Sequence, residues 1–151
     1  MTSQSGLVLV VSLGMLAGRL EGQDPMSRAF DLERRGSYPQ AAELYRNVLR
    51  QYPGEIAALL GLERALTPIN RLPEILPAVQ AAIAASPGTA AIYGVGLRAY
   101  AQANLLDSLP HLVDQWSKIA PSDETPYREW AAAALQRRDR QHVQRNAQVG
   151  R

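Results

Sequence analysis

A chain of 151 residues with 46% apolar content is long enough to pack one core and too hydrophobic to be disordered. It contains no Cys, which excludes disulfides, thiolate metal sites, cysteine nucleophiles and a lipid-bearing Cys behind a leader. The formal charge of +2 is unevenly placed: residues 137–151 carry Arg137, Arg138, Arg140, Arg145 and Arg151 against Asp139, a balance of +4 that leaves −2 elsewhere and no broad footprint for nucleic acid.

The chain opens with an uncharged apolar run, Leu7 to Gly18. It falls short of the ~20 residues that span a bilayer and suits the hydrophobic region of a secretory leader, with Gly22 as the small residue before a cut. Met1 to Gly6 supplies no Lys or Arg, so a retained anchor and an extra helix packed on the body stay open beside the export reading. Export would put the protein in the periplasm or outside a bacterial cell. Lys118 is the single lysine among 16 basic residues, a bias that reads as bacterial composition rather than function.

Helices follow in pairs. The spacing predicts a first helix over about 26–35 and a second over 38–52, with Gly36 in the turn and Ser37 and Gln40 at capping-box separation. Ala41, Leu44, Tyr45, Val48 and Leu49 then keep the 3–4 spacing of one buried face. The second pair is expected over 56–66 and 73–85, although Pro77 should delay or kink the latter. A third pair is expected over 90–103 and 108–120 with Asp107 as N-cap, and a further helix over 124–138. Pro53, Pro87 and Pro121 stand 34 residues apart, each closing a pair. A period of that length marks one supersecondary unit repeated, since so small a unit must stack on a neighbour to bury its apolar face.

Residues 26–138 resemble the tetratricopeptide repeat family, most closely at Gly36-Ser37-Tyr38-Pro39-Gln40-Ala41-Ala42-Glu43-Leu44-Tyr45. Leu59, Tyr93 and Tyr127 fill the family's early bulky place in the first helix of a pair, which sits in a pocket of neighbouring helices. Leu32, Leu66 and Tyr100 fill the later bulky place, where Ala134 is a small substitute. Glu63 and Leu97 depart from the Gly or Ala that the family prefers for close helix approach. The resemblance implies an all-α, right-handed solenoid with repeats at about 24–55, 56–89 and 90–123 and a partial fourth at 124–138. Residues 139–151 then read as a basic capping helix or a truncated repeat. The pentatricopeptide pattern fits less well, because its period is one residue longer and its base-reading pairs are not recognisable here.

The same resemblance implies a concave groove lined by the first helix of each pair. It places Leu60, Gly61 and Arg64 there, then Gly94, Val95, Arg98 and Gln102, then Arg128 and Glu129. Arg64 and Arg98 are 34 apart and so stand on one line of the groove, where their guanidinium forks can hold carboxylates. Both can equally pair with Glu63 or another local acid. The dicarboxylate clamp of chaperone-binding members needs Lys and Asn at places that hold neither here, so that specificity is not carried over.

No catalytic constellation is present. His111 and His142 have no second His or Cys at helical spacing, so neither a metal site nor a nucleophile–base pair is expected. Gly94 and Gly96 follow no strand and make no phosphate loop. Asp123 and Glu124 read as a cap and dipole complement. The expectation is a non-enzymatic interaction module without cofactor that binds a protein or peptide through Arg64, Arg98, Leu60, Gln102 and Arg128. Nucleic acid is not expected as a partner, and a membrane only through the leader or weakly through the basic tail. The rival readings are the first part of a larger exported enzyme or assembly factor, and a tail-driven binder of anionic lipid or nucleic acid.

Overall fold

The computed structural model describes the backbone of residues 24–149 and the side chains of residues 24–138. The proposed leader lies outside the described residues. Seven α-helices follow in order: α1 Pro25–Arg34, α2 Tyr38–Gln51, α3 Ile56–Leu66, α4 Leu76–Ala85, α5 Ala90–Gln102, α6 Leu109–Ile119 and α7 Thr125–Val149. Among the described residues there is no strand, and no helix is long and apolar enough to cross a membrane. The molecule is an all-α solenoid of antiparallel helix pairs of tetratricopeptide type, each pair packing on the next.

Each pair turns at a residue in the left-handed region: Gly36 at φ 75°, Asn70 at φ 56° and Asn104 at φ 60°. Gly pays no Cβ penalty there, and Asn is among the few other residues that visit it. These turns also stand 34 apart, in step with the prolines. Ser37 is the residue before α2, but its side chain makes no capping bond. Its ψ of 56° lies outside the extended conformation from which a capping hydroxyl reaches the first turn, so the capping-box expectation does not hold.

Pro77 acts as expected from its ring geometry. The segment before it winds as a 3-10 turn over Leu72–Ile75, and α4 starts at Leu76 with Pro77 in its first turn. The same device recurs in the third pair: Leu106–Ser108 form a 3-10 turn and Pro110 sits in the first turn of α6. Asp107 is therefore inside that turn and not the N-cap, a place held by Ser108.

The core is continuous through the first two pairs and into α5, with Leu59, Leu62, Leu66, Ile75, Val79 and Ile92 fully buried. A second cluster joins Tyr93, Leu97, Leu109, Leu112, Val113 and Trp116 to Ala133 of α7. Burial of a Leu or Ile contributes about 1.5–3 kcal/mol, so these side chains dominate the stacking. Two glycines permit close approach between helices. A Cβ on Gly61 would run into the Tyr45 ring, and one on Gly96 would lie 3.2 Å from Val79.

Three further expectations change. Tyr127 is not in a closed pocket but 53% exposed, although its hydroxyl meets Ser117 Oγ at 3.0 Å. Gly61, Gly94 and Val95 are buried among side chains rather than open on the inner surface. Residues 139–149 form no separate helix folded back on 124–138, because α7 runs through both without a break.

Candidate functional site: the line of first helices

Helices α1, α3, α5 and α7 are the first members of their pairs and lie side by side. Along them runs a ladder of ion pairs. Arg64 of α3 reaches back to Glu33 of α1, Nε to Oε1 at 2.6 Å and a second guanidinium nitrogen to Oε2 at 3.1 Å. Arg98 of α5 reaches back to Glu63 of α3 in the same fork, at 2.6 and 3.0 Å. The two arginines expected on one line therefore do share it, and each is engaged by a carboxylate of the preceding helix. Glu63, which breaks the family preference for a small residue, is the partner that secures Arg98.

The electrostatics follow the geometry. Desolvation of the Glu33 carboxyl pushes its pKa up, but hydrogen bonds from Arg64 and Tyr45, with the Arg64 charge, outweigh it and hold the group below the usual carboxylate range. Tyr45 donates to Glu33 Oε2 at 2.8 Å. Burial first, then that bond to an anion, raises the Tyr45 hydroxyl to about 12, so it stays a neutral donor. The bond to Glu33 raises Arg64, and the bond to Glu63 raises Arg98, with Glu129 of α7 adding its charge.

Two clefts flank the ladder. The first, about 430 Å³, lies between α1 and α3, walled by Met26, Phe30 and Leu60, with Tyr45 beneath and Arg64 at its edge. Phe30 is 50% exposed there. The second, about 380 Å³, lies between α5 and α7 and is lined by Arg98, Ala101, Gln102, Glu129 and Ala132. Leu60 and Arg64 line the first cleft, and Arg98 and Gln102 line the second. Arg128 instead sits at the start of α7 beside Thr125, outside both linings.

Sequence reasoning missed Met26 and Phe30. Both precede the first well-patterned segment, yet Phe30 was readable as the single Phe of the chain, three residues before Glu33 on the same helix. A third cleft, about 420 Å³, opens on the opposite surface between α2 and α4, where the late start of α4 leaves room beside Leu49, Pro53 and Pro77. It touches only two repeats, whereas the first-helix line crosses the whole molecule. Asp123 accepts the Thr125 N–H at 2.9 Å, and bonds from the Thr125 side chain and backbone lower its carboxyl. That is the cap expected of it. Among the described residues no group of three or more His, Asp or Glu side chains is placed to hold a metal ion.

No family model and no curated protein sequence matches the chain. Among solved structures, it is similar to MamA 41-end from Desulfovibrio magneticus RS-1, with a TM-score of 0.61 at 20% identity over 85% of this chain and 75% of that one. A likeness at that identity is a likeness of fold.

Proposed function

We infer that the protein is a non-enzymatic interaction module that holds a segment of a protein or peptide along its first-helix groove. The observation that carries this reading is the pairing of an apolar cleft, with half-exposed Phe30 over Leu60 and Tyr45, with a polar ladder continuing to Arg98, Gln102 and Glu129. An apolar anchor beside fixed hydrogen-bonding groups is the usual anatomy of a peptide site. Because Glu33 and Glu63 already neutralise the arginines, the groove offers oriented donors and acceptors rather than bare positive charge. The apolar run Leu7 to Gly18 supports export to a bacterial periplasm or beyond, with cleavage near Gly22.

The experiment is an affinity capture with residues 24–151 followed by titration of the captured partner. Phe30→Ala and the Arg64→Ala/Arg98→Ala double variant should each weaken binding by at least about tenfold, or 1.4 kcal/mol. Unchanged affinity in variants of native helicity would move the site off this surface. Expression with the natural leader in a bacterial host should give a periplasmic product about 22 residues shorter. An intact amino terminus in the cytoplasmic fraction would contradict export.

A further inference from the structure

The cleft between α2 and α4 departs from the repeat that surrounds it. It holds about 420 Å³, floored by Leu49 and Leu62 and walled by Pro53, Pro77, Ala78 and Ala81. Pro77 makes the room, because the segment before it winds as a 3-10 turn and α4 starts late. One period on, between α4 and α6, His111 and Gln115 stand in place of Pro77 and Ala81, and their side chains bond at 3.0 Å. Gln80 and Ala84 stand there in place of Arg46 and Arg50. Small side chains and arginines therefore line one step of the solenoid together, and both are replaced at the next.

The charges on this cleft do not cancel. Arg46 is engaged in the wall, with one guanidinium nitrogen at 2.6 Å from Glu43 and the other at 2.7 Å from Glu74. Glu74 also takes two nitrogens of Arg71, at 2.5 and 2.8 Å. Arg50, one turn beyond Arg46, donates instead to the neutral side-chain oxygen of Asn47. Among the described residues no carboxylate pairs with it. Arg46, Arg50 and Arg71 against Glu43 and Glu74 leave one positive charge over. In the first-helix groove, by contrast, Arg64 and Arg98 each hold a carboxylate of the fold itself.

We propose that the α2–α4 cleft binds a small monoanion with a linear apolar body, a fatty acid of medium chain length. Its carboxylate lies in the guanidinium fork of Arg50, and its chain lies over Leu49 and Leu62 between Pro53 and Ala81. The volume falls within the range of small-ligand clefts. A peptide suits the cleft less well, because its N–H and C=O groups need partners once water is displaced. The polar groups of the wall, Arg46 and Glu74, are already matched with each other and with Glu43 and Arg71, whereas an acyl chain asks nothing of them. This surface is separate from the first-helix groove, and its test does not involve the groove's partner.

Calorimetric titration of the full chain with hexanoate, heptanoate and octanoate, each below its micelle concentration, tests the proposal. Affinity should rise about two- to fourfold for each added CH₂. Octanol, the same body without the charge, should bind at least about tenfold more weakly than octanoate. Arg50 and Ala81 are exposed helix positions, so Arg50→Gln and Ala81→Gln should both keep the parent helicity. Arg50→Gln should weaken octanoate by about tenfold and leave octanol unchanged. Ala81→Gln, which installs the residue found one period on, should weaken both by at least about fivefold through lost space. No saturable octanoate binding, octanol as tight as octanoate, or parent affinity in either variant would overturn the proposal. So would a short Leu-ended peptide that binds more tightly than octanoate, which would assign the cleft to a protein carboxyl terminus.

Discussion

At Gly61 the packing leaves no room for a methyl group. The Tyr45 ring that blocks it is itself fixed by its bond to Glu33, so it cannot swing aside freely. Gly61→Ala would gain about 1 kcal/mol in helix propensity and lose about 1–3 kcal/mol to overpacking, so a net loss is expected in a urea titration. Gly88→Ala, where nothing lies within 4 Å, should stay within about 0.5 kcal/mol of the parent. Glu33 gives a pH signature. Its carboxyl is depressed in the folded protein, so its contribution is present above the ordinary carboxylate range and lost as pH falls through the depressed value. Glu33→Gln should therefore cost stability at pH 7, by no more than about 1 kcal/mol given the half-exposed Arg64 partner, and should flatten the acid limb of stability against pH. A parallel acid limb in the variant would remove Glu33 from the account. Of these residues, Tyr45 was legible as a core aromatic from the repeat pattern. Gly61 was not, because a glycine without a Cβ carries no signal of which face it occupies until its neighbour is placed.

The turns decide the elements. Asn70 and Asn104 hold left-handed backbone that most Cβ-bearing residues other than Asn disfavour, so Asn70→Ala and Asn104→Ala should each cost about 1–2 kcal/mol, while Asn→Gly at either place should be neutral or stabilising. Thermal unfolding of the parent and the four variants would show the contrast; Ala and Gly behaving alike would contradict it. The helix pairs were readable because Pro53, Pro87 and Pro121 repeat and because the apolar faces keep their spacing. Their starts were less readable. Pro77 and Pro110 each replace the first helical turn by 3-10 geometry, which shifts the cap to the residue the proline dictates, so Asp107 lost the role its chemistry suited. The continuity of α7 was missed for a related reason. Period alone placed a boundary after residue 138, but a boundary needs a residue that can turn, and Arg138 is not one.

Across the whole molecule, stacking of first helices makes one surface that every repeat shares, and the ion-pair ladder fixes neighbouring helices in register along it. The arginines were found from sequence because they obey the period. Their partners were harder to assign, since Glu33 and Glu63 sit at different places within their repeats and only packing shows which arginine each meets. The central claim is that this shared surface is where a partner lies. Oxidative footprinting of the protein with its captured partner tests it most directly, because reactive side chains stand both inside and outside the groove. The account predicts protection of Phe30 with Trp130 and Leu105, which are exposed and line neither cleft, unchanged. Protection of Trp130 or Leu105, with Phe30 as reactive as in the free protein, would contradict it.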